Sequence, residues 1–590
     1  MQSIVGFTVF SSLPENRLKA LESAHRRALQ YFPRLQRRSY TIGATCLELW
    51  GREGMDERIH TLPDGSFLAL IGSPHGDMNL ANVQDALLAN RFELPWDGRV
   101  ILLRISADGK RWTLWNDWLG SIPVFHAEIG HGRIASTLEP VVVASAAYTP
   151  DDFFLPGLVS LLINGHFISD WTLYKGMKVI PPDSRMEWGE AGFRAERLWT
   201  VVPSQSRWEA GWDDLVDEMY ELSRKAIAEV LKTQLAWIVP LSAGLDSRLI
   251  AGVGAEIGAE MLAYAWGEPD STDVVYSRKI AKTLGIPWKW IELNEDFLVT
   301  YTPRWADLFG SSMHFHGMYQ MNFLDSIPED MPLISGFLGD ALSGSNSVMQ
   351  VEYKGGAVFY KRDWYLHWGV EELSGLMKDF PLEEVLLELA NEVKQTFTRL
   401  PGAEFSKNIL LALWSRQRFF TSFQSNLISY WSGVATPFLN RAYARFSLSL
   451  PRAVFEHRRL LGDVFRRYYG KLAVIPGTYG SEPFIRTGRY ILRRRIVEHL
   501  PALLHHGPFA GFDDVPLRMD IDCVQAVGKQ ALWPLFDTLQ ELSRWLDVCL
   551  LEREYQALQH SSEDIRPLRR LQSVQTLAYR LRADGGNLQR

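Results

Sequence analysis

Cysteine is nearly missing from this chain of 590 residues: Cys46, Cys523 and Cys549 stand far apart and form no C-x-x-C pair. Neither a disulfide framework nor a structural zinc site is expected from them. Cys523 and Cys549 read as buried fillers. Positive charge is not in excess either, the formal net charge being -7. A surface that grips nucleic acid usually shows a basic face, so no nucleic-acid partner is expected. Long apolar runs are lacking too. The longest, near 153–168, is broken by Pro156, Gly157, Asn164, Gly165 and His166. A span needs ~20 apolar residues, so this stretch reads as core and no membrane partner is expected. The first residues, MQSIVGFTVFSS, carry no basic segment followed by an apolar one, as a signal peptide would. A reducing, cytoplasmic setting is the expectation.

What is present is ordinary for a globular enzyme: 46% apolar and 22% charged residues. The length calls for two or three domains. Residues 1–200 read mostly as strands. VILLRIS and WTLWND flank the turn Ala107-Asp108-Gly109-Lys110, and a second hairpin turns at Gly130-His131-Gly132. Helices are expected at 15–31 and 81–90. Strands with segregated helices suggest an α+β layered domain. Past Pro203 the pattern changes. Leu215, Met219, Leu222, Ala226 and Val230 recur at helical spacing, and LAWIVPL then reads as a strand buried on both faces. The strands MLAYAW and PWKWIEL alternate with helices, which predicts a parallel sheet. Helices dominate from 371 onward, at 371–378, 382–400, 408–424, 441–450 and in the tail after 531. The expected divisions are 1–200, 205–480 and a helical extension over 481–590.

The segment Pro240-Leu241-Ser242-Ala243-Gly244-Leu245-Asp246-Ser247-Arg248 joins a buried strand to a helix. Such a turn aims backbone N–H groups and the positive end of the helix dipole at one point. Ser242 and Ser247 add hydroxyls, and Gly244 permits a turn with positive φ. The natural guest is a phosphate or pyrophosphate. Asp246 would repel it unless a cation stood between, which assigns Asp246 to Mg2+. The plain alternative is a strand–helix turn with Ser and Asp as caps. Among other residues, His314 and His316 read as cleft-lining, Tyr319 and Gln320 as candidates for a carboxylate pocket. Trp288 and Trp290 read as core, and the run 486–495 as a solvated basic helix face.

P-L-S-A-G-L-D-S resembles the S-G-G-x-D-S pyrophosphate loop of the asparagine synthetase family and its N-type ATP pyrophosphatase relatives. Ala243 stands at the first glycine. In chain order follow Ala265-Trp266-Gly267 with Asp273, similar to the family's adenosine-contacting strand. Leu333-Ile334-Ser335-Gly336-Phe337-Leu338-Gly339-Asp340 with Ser343-Gly344 is similar to the second loop, S-G-E-G-x-D-E-x-x-G-G. Thr436-Pro437-Phe438-Leu439-Asn440 is similar to V-P-F-L-D. In the first half, IVGFTVF, LWNDWLGSIPVFH, IASTLEPVV and TLYKGMKVIPPDSRM resemble the family's glutaminase strands. The resemblance implies an α+β Ntn-hydrolase-like N-terminal sandwich followed by an α/β N-type ATP pyrophosphatase domain, adenine nucleotide alpha hydrolase-like, with helical additions.

It further implies a ligase that activates a carboxylate with ATP and Mg2+ as an acyl-adenylate, then forms an amide. Leu241, Ser242, Ala243, Gly244, Leu245, Asp246, Ser247, Gly267 and Gly336 would hold the nucleotide, and Asp246 and Asp340 the metal. Tyr319 would face the substrate. The family's cation for the departing pyrophosphate has no clean match. Arg458, Arg459, Arg466, Arg467 and Lys471 are on offer, with Arg459 or Lys471 assigned the role. Phe337 replaces the glutamate of S-G-E-G. Glutamine-dependent members use a cysteine at the mature N-terminus, where this chain has Gln2 and then Ser3. Glutamine hydrolysis is therefore not expected. Ammonia or a substrate amine would serve instead, as in the related β-lactam synthetases and lasso-peptide cyclases. The partner would be a small-molecule or peptide carboxylate, with a precursor peptide and leader protease in the cyclase case. A degenerate binding or scaffold protein is the remaining reading.

Overall fold

A computed structural model describes residues 4–585, apart from 77, 90–91, 191, 294, 346–350, 355–356, 361–366, 378–379, 478–481, 498, 500–518, 534 and 561–563. Gln2 and Ser3, on which the reading of a lost nucleophile rests, lie outside the described residues.

Among the described residues the first half holds twelve strands: β1 (Ile4–Ser11), β2 (Gln36–Ile42), β3 (Thr45–Gly51), β4 (Ile59–Thr61), β5 (Phe67–His75), β6 (Asp97–Ile105), β7 (Trp112–Asn116), β8 (Phe125–Ile129), β9 (Gly132–Ser136), β10 (Met177–Val179), β11 (Ser184–Gly189) and β12 (Gly192–Arg197). They form two six-stranded sheets, ordered β10-β8-β9-β1-β3-β2 and β12-β11-β7-β6-β5-β4, with antiparallel pairing throughout. Alternate residues of each strand face the other sheet. Phe7, Val9, Leu47, Leu49, Ile71, Ile101, Leu103, Leu114 and Met186 make that shared core. The helices Glu15–Leu29 and Glu139–Ala146 cover the outer face of the first sheet. Both expected hairpins form. At the tip of the first, Asp108 Oδ1 accepts from the Ser106 hydroxyl at 2.6 Å and the Lys110 N–H at 3.0 Å.

The second half carries a parallel sheet of five strands, ordered β15-β14-β13-β16-β19. They are β13 (Ala236–Pro240), β14 (Glu260–Trp266), β15 (Trp288–Ile291), β16 (Leu333–Ile334) and β19 (Val434–Ala435). Between the last two lies the hairpin β17 (Val351–Lys354) and β18 (Ala357–Tyr360). From β13 the chain adds β14 and β15 on one side. It then returns to add β16 and β19 on the other. The direction of growth reverses between β13 and β16.

Several expected elements differ. The helix expected at 81–90 splits into a 3-10 turn, Leu80–Val83, and a short α-helix, Gln84–Leu88. The helix expected at 408–424 is broken into Glu404–Ala412, a π-helical stretch Leu413–Thr421 and Phe423–Trp431. Ser415 and Thr421 bond back to the carbonyls of Leu411 (2.6 Å) and Gln417 (3.0 Å), which loosens the α ladder. The distortion accompanies a buried Arg418, whose Nε donates to the Gly120 carbonyl at 2.9 Å and whose Nη2 donates to the Ile180 carbonyl at 2.5 Å. The 153–168 run is core, as the helix Leu155–Asn164. Cys523 is buried, but Cys549 is exposed. Trp288 and Trp290 are only half-buried, because β15 is an edge strand. Among the described residues no helix is long and apolar enough to cross a membrane.

The two halves interlock. Trp118 Nε1 donates to the Leu439 carbonyl at 2.9 Å, and Trp414 Nε1 to the Trp118 carbonyl at 3.0 Å. Arg441 Nε reaches Asp97 Oδ1 at 2.6 Å. A cavity of about 20 Å³ lies between the halves beside Val5, Arg99 and Tyr430, enough for about one water.

Candidate active site

In open α/β sheets, ligands sit beyond the carboxyl ends of the strands, where the order of strand addition reverses. Here that point lies between β13 and β16. The loop after β13 is 241–248, and the loop after β16 is 335–344.

The first loop holds itself in shape. Pro240 ends β13, and the helix Leu245–Glu256 follows at once. Ser242 Oγ accepts the Gly244 N–H at 3.0 Å and lies 3.2 Å from Ser247 Oγ. Ser247 Oγ also accepts the Ser242 N–H at 3.2 Å. The Ala243 N–H donates to Asp273 Oδ1 at 2.8 Å. Gly244 does not adopt the expected positive φ; its φ is -62°. Its lack of a side chain serves close packing instead, since a Cβ would lie 2.9 Å from Ser242 Oγ. Leu241 and Ala243 are buried. Beneath the loop, the buried Arg248 donates to the carbonyls of Ala243 (2.7 Å), Ile475 (2.8 Å) and Pro476 (2.6 Å). Burial lowers its pKa to about 10, still well above neutral pH.

The second loop closes over Asp246. A Cβ at Gly339 would stand 2.8 Å from Asp246 Cβ and Cγ, and one at Gly336 3.1 Å from Asp246 Cβ. Gly339 therefore needs to be glycine for this approach, and Gly336 is tightly packed. Leu338 between them is left-handed, with φ 72°. Asp340 begins the next turn. Its backbone N–H bonds Asp246, and its own Oδ2 accepts from the Ser345 hydroxyl at 3.1 Å. Ser335 Oγ donates to Gln424 Oε1 at 3.2 Å, and Gln424 Nε2 to Gln320 Oε1 at 3.1 Å. Gln424 thus ties the loop to Gln320.

The charge facing Asp246 comes from Arg458. Its Nη2 bonds Asp246 Oδ1, and its Nε donates to Ser343 Oγ at 2.9 Å. His457 and Arg458 are both left-handed, at φ 65° and 57°. Two such residues in a row, neither of them glycine, store roughly 1–3 kcal/mol each. Gly344 packs under this turn: a Cβ there would lie 1.6 Å from the Phe455 carbonyl. Arg459 and Lys471, assigned the cationic role from the sequence, are exposed. The structure brings Arg458 to the carboxylate, and not either of those two.

Burial pushes the pKa of Asp246 up to about 6 from 3.8, against the pull of Arg458 and with the help of the like charge on Asp340. The folded state thus holds the proton more tightly than the unfolded chain. This group's contribution to stability therefore falls as pH rises from about 4 through 6. The crevice keeps a carboxylate that costs stability in its charged form.

Tyr319 lies half-buried among aromatic rings at the end of β14, 6.5 Å from Trp266 and 5.9 Å from both His316 and Phe423. His314 is buried and His316 half-buried. Gly267, at φ 129°, offers its carbonyl to Trp290 Nε1 at 2.8 Å. Tyr443 was not singled out from the sequence. It is buried, its hydroxyl pKa pushed up by burial and by the nearby charge of Asp246.

The fold thus joins a five-stranded parallel α/β sheet, with a crevice where its strand order reverses, to a two-sheet α+β sandwich. No family model matches the chain, and no curated protein matches it. Among solved structures it is similar to the allosteric regulatory enzyme of purine biosynthesis, at 9% identity and a TM-score of 0.22, over 48% of this chain and 80% of that one. It is also similar to glutamine phosphoribosylpyrophosphate amidotransferase from B. subtilis complexed with ADP and GMP, at 10% identity and a TM-score of 0.20 over 48% of this chain. The chain spans 65% of that protein, just under two-thirds. TM-scores this low leave the fold to rest on the sheets themselves.

Proposed function

We propose that the chain is an ATP-dependent, AMP-forming amide ligase of the asparagine synthetase type, its second half an N-type ATP pyrophosphatase domain. One observation carries this reading. Two loops from neighbouring parallel strands, at the reversal of strand order, bring Asp246 and Asp340 together, and the turn at His457–Arg458 brings Arg458 to Asp246. The donor set fits a magnesium–nucleotide: two carboxylates for the ion, a guanidinium and serine hydroxyls for phosphate.

Asp246 and Asp340 would hold Mg2+, which neutralises charge on the phosphates when bound. Arg458 presently balances Asp246 by itself. Released from that pairing, its guanidinium would meet the departing pyrophosphate. Ser242, Ser247 and the N-terminus of the Leu245–Glu256 helix would take the β- and γ-phosphates. The substrate carboxylate attacks the α-phosphorus, the bond to the bridging oxygen breaks, and pyrophosphate leaves. An amine then attacks the acyl carbon, expelling AMP. Tyr319, with Trp266 and Phe423, walls the side where that carboxylate would enter. The amine is ammonia or an amine of the substrate itself, which would give a macrolactam if the substrate is a precursor peptide. Glutamine is not the source on this reading.

ATP–pyrophosphate exchange with a panel of carboxylic acids and peptides tests this. Exchange that depends on one acid and is lost in Asp246→Asn is expected. Exchange that survives Asp246→Asn sinks the assignment, as does its absence across small acids and peptides alike.

A further inference from the structure

A second cluster lies far from the crevice in sequence, in the first half. Glu22 and His25 stand three residues apart on the helix Glu15–Leu29, and so share one face of it. That face lies over β1, β3 and β2. Glu48 rises from β3, and ligand atoms of Glu22, His25 and Glu48 lie within 4.8 Å of one another. Among the described residues, no other group of three histidine, cysteine or acidic side chains meets that spacing.

His25 is fully buried and Glu48 is 8% exposed. His25 Nδ1 is 2.9 Å from Glu48 Oε2, yet neither atom has a partner in hydrogen-bonding geometry. The other ring nitrogen has a partner. Nε2 is 2.9 Å from Thr8 Oγ1, which is 2.7 Å from Ser136 Oγ, which donates to the Phe7 carbonyl at 3.2 Å. With each hydroxyl donating toward that carbonyl, the chain places a proton on Nε2. Nδ1 then directs its lone pair at a carboxylate oxygen 2.9 Å away, a contact that either a second ring proton or a metal ion would bridge, and the third ligand, Glu22, favours the ion. Two ligand atoms each about 2.1 Å from a metal ion are about 2.9–3.4 Å apart at angles near 90–110°. The Thr8–Ser136 chain holds the His25 ring in place, as partners of a metal-bound histidine do. Arg37 bonds Glu22 and lies 3.6 Å from Glu48 Oε1, which leaves Glu48 Oε2 to the ion.

We propose that Glu22, His25 and Glu48 bind a divalent first-row transition metal, of the zinc or cobalt class, that clips the helix to the sheet. One imidazole with two carboxylates suits such an ion better than Ca2+ or Mg2+. The site stands apart from the ATP crevice and does not depend on the ligase reading.

The test is titration of the full, untagged chain with Co2+ under excess Mg2+, followed by visible absorption and calorimetry. One equivalent should bind with d–d bands. Binding should weaken at least 10-fold in Glu22→Gln, a change at a partly exposed position that leaves the core alone, and in Glu48→Gln. Asp246→Asn should leave the bands in place. The proposal fails if the wild-type chain takes up no Co2+ under these conditions. It fails equally if Glu22→Gln and Glu48→Gln bind as tightly as wild type, or if Asp246→Asn abolishes the signal.

Discussion

Two aspartates, one buried in the first half and one half-buried in the second, are held in opposite ways. Asp117 sits in the turn after β7 and is ringed by donors. Its carboxylate accepts from the N–H groups of Val100 (3.2 Å), Leu119 (3.1 Å) and Ser121 (3.1 Å), and from the Ser121 hydroxyl at 2.7 Å. Asp246 has a guanidinium, one backbone N–H and a second carboxylate near it. Burial raises both pKa values. The first acid is satisfied by rigid backbone and organises a turn. The second is satisfied by a long side chain that can leave, which is what the proposed Mg2+ site requires.

The sharpest way to break this contrast is Asp246→Asn. Exchange should fall at least about 10³-fold, about 4 kcal/mol of transition-state stabilisation, with little change in melting temperature. A large stability loss with activity per folded molecule intact would make Asp246 structural after all. Next comes Arg458→Met, for which a fall of about 10²-fold in exchange is expected, and Arg458→Lys should recover part of it. Were Arg459→Met or Lys471→Met to do the greater damage, the cation has been misplaced. Asp117→Asn should show the reverse behaviour. Denaturant unfolding should record a loss of about 2–4 kcal/mol, since one acceptor oxygen becomes an NH2 facing donors, while turnover per folded molecule holds. The smallest effect is on pH. Asp246 must be charged to bind a metal, and burial holds its pKa up at about 6. The half-saturating Mg2+ concentration should be flat above that value and rise about tenfold per pH unit below it. A flat profile down to pH 4 would mean the carboxylate takes no part.

Local chemistry explains what could be read in advance. Loop 241–248 announces itself because Gly, Ser and Asp mark a strand–helix turn wherever they occur. The β13–β15 region is legible because buried strands and amphipathic helices have different periods. Arg458 escaped because its position depends on two left-handed residues, His457 and Arg458, neither of them of the glycine or asparagine type that signals such a turn. Five arginines and lysines in one stretch look alike until that turn selects one. The π-helical stretch at Leu413–Thr421 escaped because its apolar spacing imitates an α-helix, while the Arg418 contacts that accompany it come from residues 298 and 238 positions away. Gly244 was recognised as necessary, but for torsional freedom where the need is space.

That same Arg418 joins the fates of the two halves. Its guanidinium, buried in the second, caps carbonyls of the first at Gly120 and Ile180. A gene split between the halves would leave one fragment with a stranded charge and the other with open carbonyls. Co-expressed fragments should find each other, and either one made by itself should precipitate.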